Sequence, residues 1–241
     1  RRVGFPVVVL ELERPLTVRR TVAYSTAVTE GRIVIDGIEG KRVRSVAEAL
    51  DATSHRVVPV LVAPEIPEIQ ASVVVDARLA KKNLGTSTDQ APFVVALGPG
   101  FTAGNDCHAV IETKRGHNLG RVIWDGPAAP NTGIPGVIGG ASADRVIHAP
   151  LDGDLTWEAT FGDVVQEGAV LGSIDREPIR SRIGGTVRGL MLPGAVSQGL
   201  KIADIDPRFD PTAVHHISDK SLSVGGGVLE AVLVWLNNAA L

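Results

Sequence analysis

The sequence is poor in cysteine, in aromatic residues and in long apolar runs. Cys107 is the single cysteine among 241 residues. That excludes an internal disulfide framework and any cysteine-rich zinc or iron–sulfur site, and it fits a reducing, cytoplasmic compartment. Aromatic residues make up 4% of the chain, so the cores must be filled by Val, Ile, Leu and Ala. The longest apolar stretch, Val228 to Leu236, is broken by Glu230 and falls far short of the roughly 20 residues of a membrane helix. No membrane partner is expected. A net charge of −3 supplies no overall basic field, so nucleic acid is not an expected partner and any site for an anionic small molecule must be local. Lysine is absent between Lys114 and Lys201.

Glycine and proline are abundant, at 27 and 15 residues, which predicts many turns and short strands. With 44% apolar and 21% charged residues the chain can build real cores, and its length suits two domains. Residues 1–143 read as an α/β domain. Val7 to Leu12 is a run suited to a buried parallel strand, Leu16 to Val28 a helix carrying Arg19 and Arg20, Ile33 to Ile35 a strand, Val46 to Leu50 a helix capped by Ser45, and Val57 to Val62 a strand. This rhythm is Rossmann-like, yet no G-x-G-x-x-G turn precedes Val7, so the domain reads as truncated at its start.

The chemistry-bearing residues cluster farther along. Strand Ser72 to Asp76 leads into Arg78, Lys81, Lys82 and Asn83, expected on a short helix as a solvated face or an anion clamp. Strand Phe93 to Leu97 runs into Gly98, Gly100, Phe101, Thr102 and Gly104, where main-chain N–H groups could form an anion nest. Asp106, Cys107 and His108 follow. Period-two geometry puts Asp106 and His108 on one face and Cys107 on the other. Cys107 is then either a small buried hydrophobe or a thiolate activated by Lys114, Arg115 or His117. Asp106, His108 and His117 are a conceivable mononuclear metal set, although their spacing matches no standard zinc motif. Arg121 and Asn131 add polar groups to the same pocket. Gly225, Gly226 and Gly227 are expected to open a helix running to Asn237 and so to expose N–H groups to an anion.

From Ala149 the sequence repeats at an offset of 31: Gly153 answers Gly184, Val165 answers Val196, Gly168 answers Gly199, Leu171 answers Ile202, Ile174 answers Ile205 and Asp175 answers Asp206. Two copies of a small β unit sharing one core are expected over 144–206. The pattern Gly162-Asp163-Val164-Val165-Gln166-Glu167-Gly168 resembles the halves of biotinyl/lipoyl-like barrel-sandwich hybrids. The hairpin Asp175 to Ile179 carries no lysine, so biotin or lipoyl attachment is excluded. Residues 207–241 read as a C-terminal segment whose helix packs on the first domain.

Taken together, Asp76 to Asn83, Gly98 to Gly104, Arg115 to Arg121, Asn131-Thr132-Gly133 and Gly225 to Glu230 resemble the YqeB-type accessory proteins of selenium-dependent molybdenum hydroxylase systems. The resemblance implies a glycine-rich strand, turn and helix before Arg1. It also implies a cytoplasmic role in maturing or inserting the molybdenum–pterin cofactor, with an apo molybdenum hydroxylase and cofactor-maturation proteins as partners. Such a cofactor carries phosphate and an anionic dithiolene, a demand that Lys81, Lys82, Asn83, the Gly98–Gly104 loop, Arg115 and Arg121 suit. Two other readings are a metal- or thiol-dependent enzyme of sulfur or selenium transfer using Asp106, Cys107 and His108, and a noncatalytic docking scaffold.

Overall fold

In a computed structural model, residues 1–133, 139–140 and 143–239 are described. The chain is mixed α/β with several sheets and a C-terminal helix, and it divides into two compact units. One unit joins Arg1–Ile69 to Val137–His216, and the other joins Gln70–Gly136 to Ile217–Leu241. These replace the boundaries expected at 143/144 and 206/207. The physical reason is long-range: Val18 is buried in the core of the duplicated β region, and its carbonyl accepts from Leu190 N.

In the first unit, β1 (Val9–Glu11), β4 (Val58–Val62) and β3 (Ile38–Val43) are parallel, and β2 (Arg32–Ile35) pairs antiparallel with β3 at the edge. Helix α2 (Val46–Ser54) connects β3 to β4, and Ser45 Oγ accepts from Glu48 N as its N-cap. The helix expected over 16–28 does not form. It is replaced by two 3-10 turns, Arg20–Val22 and Tyr24–Thr26, and one turn of α1 (Ala27–Glu30). Hydroxyls compete for the main chain here: Thr26 Oγ1 donates to the Arg20 carbonyl and Ser25 Oγ to Thr17 Oγ1.

The second unit holds β5 (Val73–Asp76), β6 (Phe93–Leu97) and β8 (Ala109–Ile111), all parallel, with β9 (Val122–Ile123) antiparallel to β8. A two-stranded ribbon pairs β7 (Thr102–Ala103) with β10 (Gly126–Pro127). Helix α3 (Asp219–Ala239) packs Val224, Gly227, Ala231 and Val232 inward. Trp235 stacks on Phe93 with centroids 5.3 Å apart. Among the described residues no helix is long and apolar enough to cross a membrane.

The duplicated region contains β11 (Val146–His148), β12 (Gly153–Trp157), β13 (Val164–Val165) and β14 (Val170–Ile174), then β15 (Glu177–Arg180), β16 (Gly185–Leu190), β17 (Gly194–Val196) and β18 (Lys201–Asp206). The sheet orders are β11-β18-β16-β13 and β15-β14-β12-β17, so each sheet takes two strands from each copy and one order maps onto the other. Register refines the repeat. Leu155 opposite Ile174 matches Val187 opposite Ile205, so the first two strands recur 32 positions on and the last two 31 positions on. Gly153 therefore corresponds to Gly185 rather than Gly184, with φ of +158° and +157°. Both copies interrupt their ladder at the same place, passing over Leu171 in one and Ile202 in the other. These two side chains are fully buried in the shared core, each contributing about 1.5–3 kcal/mol. Among the described residues these remain two separate four-stranded sheets that do not close into a barrel.

Candidate functional site

Loops 77–86, 98–108 and 112–121 leave the carboxyl ends of the parallel strands β5, β6 and β8, where open α/β sheets hold their ligands. Most of the residues singled out in the sequence lie on these loops, with Asp76 at the end of β5. The structure gives them different tasks.

In the first loop Asp76 is buried, and its carboxylate accepts from Arg78 N (3.0 Å), Nε (3.1 Å) and Nη2 (2.6 Å) and from Thr86 Oγ1 (2.6 Å). Burial alone would raise its pKa, but the bonds from Arg78 and Thr86 outweigh it and hold the carboxyl below its ordinary value. Asn83 Oδ1 accepts from Gly85 N and Thr86 N. These bonds explain why 77–83 is not the expected helix: the side chains of Asp76 and Asn83 capture the main chain, and Leu79 and Lys81 adopt φ of +54° and +65°. Asp76 and Asn83 thus build the loop, while Lys81 and Lys82 remain exposed.

The second loop is closed on itself. Gly98 N donates to the Ile111 carbonyl, Gly104 N to the Cys107 carbonyl, Thr102 N to Asp106 Oδ2 (2.8 Å), and Asp106 N to the Thr102 carbonyl. Those N–H groups are spent, so Gly98, Thr102 and Gly104 do not offer theirs to the expected anion nest, and the Phe101 side chain lies in the core. Gly100, at φ +102°, lets the loop lie against the main chain of Lys82, where a Cβ would come within 2.5 Å of the Lys82 Cα.

Asp106, Cys107 and His108 do not converge. Asp106 bonds its own turn. His108 Nδ1 accepts from Val94 N (2.9 Å), which places the ring proton on Nε2. Cys107 is fully buried among Val94, Ala96, Phe101 and Val110, and burial, then the nearby Asp106, pushes its thiol up to about 11. A thiol so held is a poor nucleophile, which corrects its reading as a catalytic group. Nor do Asp106, His108 and His117 form a metal set: among the described residues no three His, Cys, Asp or Glu side chains come together as ligands.

The third loop carries the opening. Glu112, buried and outside the expected site set, accepts from Lys114 N (2.7 Å) and Ala129 N (2.8 Å), while its main chain bonds Gly120 and Arg121. Its only sequence signal is an acid directly after a buried strand. Arg115 makes a bidentate pair with Asp219 in the first turn of α3, at 2.6 and 2.8 Å. Next to this clamp, His117, Leu119, Gly120, Arg121, Val122 and Glu230 line an open cleft of about 480 Å³. Among the described residues, no hydrogen bond or ion pair engages the side chains of His117 and Arg121. Glu230 is the acid that interrupts the apolar run of α3.

Asn131 lies apart from the cleft lining and accepts from Gly133 N in a local turn. The glycine triplet does not begin its helix. Helix α3 starts at Asp219, and Ser218 caps it through Ser221 N, so Gly225, Gly226 and Gly227 are interior and their N–H groups belong to the helix ladder. The expected anion site at a helix start is absent there.

No family model matches the chain. It is 47% identical over 238 residues to the uncharacterized protein YqeB of Escherichia coli K12, a match that covers 97% of this chain and 44% of that protein. The chain thus spans less than half the length of its curated relative. Among solved structures, the ectoine utilization protein EutE (DoeB) of Ruegeria pomeroyi aligns at 12% identity, over 83% of this chain and 84% of that one, with a TM-score of 0.26. A succinylglutamate desuccinylase/aspartoacylase of Rhodobacter sphaeroides aligns at 17% identity with the same coverage and TM-score. At that level neither fold nor activity follows from the likeness.

Proposed function

We propose that this chain is an accessory protein of molybdenum hydroxylase maturation. In this reading it seats the anionic molybdenum–pterin cofactor, or its nucleotide form, and passes it to the apo-hydroxylase in the cytoplasm, in a selenium-linked system. One observation supports it best: His117 and Arg121 present unengaged side chains to a cleft of about 480 Å³ at the carboxyl end of a parallel sheet. A guanidinium suits phosphate because its fork of N–H donors meets two oxygens at once. Lys81 and Lys82, exposed on the first of the three loops, extend the cationic supply. In the same reading the first sheet is a Rossmann-like remnant. The interleaved copies are a barrel-sandwich hybrid of the biotinyl/lipoyl kind that, lacking a carrier lysine, serves to dock the client and the other maturation proteins.

Binding of GMP and of inorganic pyrophosphate, stand-ins for the nucleotide and phosphate ends, tests the seat. Both should bind the wild-type chain, and Arg121→Ala should weaken them about tenfold or more, the loss of a charge-assisted pair. If neither binds, or if a strain carrying His117→Ala with Arg121→Ala matures its hydroxylase normally, the reading fails.

A further inference from the structure

On the outer face of the sheet centred on β16 and β18, cations outnumber, among the described residues, the carboxylates that could pair with them. Asp204 accepts from Arg145 Nη1 and from Arg188 Nε and Nη2, and Asp206 from Arg188 Nη1 and from Arg208. Both carboxylates are almost wholly buried, with three bonds from arginine side chains on Asp204 and four bonds from Arg188 and Arg208 on Asp206. Lys201, half-buried at the start of β18, is left without one: among the described residues no hydrogen bond or ion pair engages its ammonium. Directly opposite it in the ladder stands His148 of β11, and Arg182 lies close enough to act on that imidazole. Neither His148 nor Arg182 has a side-chain partner among the described residues.

The surrounding fields agree with this crowding. Burial, then the opposing pulls of Asp204 and of Arg145, Arg188 and Arg19, leaves Lys201 below the ordinary lysine range. His148 is pushed down by partial burial and then by Lys201 and Arg182. A half-buried ammonium beside further cations, with the nearby carboxylates Asp204 and Asp206 already paired to arginines, is unfavourable unless an anion completes it. We infer that Lys201 and the His148 opposite it, with Arg182 near that imidazole, seat a small tetrahedral oxyanion, either a free phosphate or the phosphate of a monoester. The site is built from the first unit alone and is independent of the cleft at Arg121.

Thermal unfolding of the full chain, in inorganic phosphate and in ribose 5-phosphate at ionic strength matched with sodium chloride, tests the seat. Wild type should be stabilised by at least one of the two well beyond chloride. Lys201→Gln and, separately, the exposed Arg182→Gln should weaken that response about tenfold or more. A stronger response to the monoester assigns the seat to a phosphorylated ligand, and equal responses assign it to the free ion. Without phosphate, Lys201→Gln should unfold at the same or a higher temperature, because it removes an unmatched charge. The inference is overturned if chloride stabilises as well as both phosphates, if both variants keep the full response, or if Lys201→Gln melts lower without phosphate, which would make the ammonium a structural group.

Discussion

Gly227 of α3 lies against the carbonyl oxygen of Gly120, so closely that a Cβ at 227 would collide with it and come within 2.9 Å of Ile111 Cγ2. Gly120 is tight in return, since a Cβ there would stand 2.5 Å from the Ser223 carbonyl oxygen. This pair holds the third loop, and with it His117 and Arg121, against the helix. The three consecutive glycines should therefore respond in opposite ways. A Cβ added at Gly225 or Gly226 would meet nothing within 4 Å, so alanine at either should stabilise by about 1 kcal/mol through helix propensity. Gly227→Ala should destabilise by about 1–3 kcal/mol, because main chain must move. Urea unfolding of the three single variants reads the signs directly.

Asp204 sits between two buried arginines, and removing it takes a carboxylate from both, although Arg188 keeps its bond to Asp206. Asp204→Ala should cost about 3–5 kcal/mol, the range for breaking a buried ion pair from one side. Arg44→Ala, at an exposed position, is the control and should change stability by less than about 0.5 kcal/mol.

Acid should loosen the molecule through Asp76 and Asp206. Both carboxyls are held below the ordinary value of 3.8, in each case because bonds from a neighbouring arginine outweigh the opposing effect of burial. A carboxyl depressed in the folded state stabilises above its unfolded pKa. That contribution is lost as pH falls through the folded value. Stability should thus be flat in these groups above about pH 4 and decline below it. Asp76→Asn should show a shallower decline in acid-titrated thermal unfolding.

Cys107 should be inert in the folded protein. With its thiol at about 11, roughly one molecule in a thousand carries the thiolate at pH 8. The side chain is also sealed in the core. Iodoacetamide should label it at least about a hundredfold more slowly in native protein than in urea. Rapid native labelling would restore the thiol as a candidate nucleophile.

What can be read from the residues, and what cannot, follows the range of the interactions involved. The strands at 58–62, 73–76 and 93–97 declare themselves through continuous β-branched and apolar runs, and α2 through its Ser45 cap. The duplication is visible because buried positions such as Leu171 and Ile202 must match in both copies. The single-residue change in offset is not, because it is set by strand register. Residues 77–83 mislead because a cationic stretch looks like a helix face until Asp76 is seen to take the N–H of Arg78 and Asn83 those of Gly85 and Thr86 just beyond it. The glycine triplet misleads because propensity alone makes it a helix boundary, while close packing on Gly120 requires it inside. His117 and Arg121 are among the expected binders. Glu112, which anchors their loop, makes its bonds to Lys114 and Ala129, and the contact with Ala129 spans 17 positions.

The interleaving of β11–β14 with β15–β18 has a consequence for how such a structure can be assembled. Neither copy owns a sheet: the central strands β16 and β18 come from one copy and their edge strands β11 and β13 from the other, and the opposite sheet reverses the roles. The same geometry would be satisfied by two separate short peptides exchanging strands about a twofold axis, with the Asp175-Arg176 turn joining β14 to β15 as the tether that makes them one chain. The molecule is, in that sense, a tethered strand-swapped dimer. Its halves differ most where they do not need to be alike, with Asp204 and Asp206 locked under arginines on one outer face and their counterparts Ser173 and Asp175 left in a simple polar turn on the other.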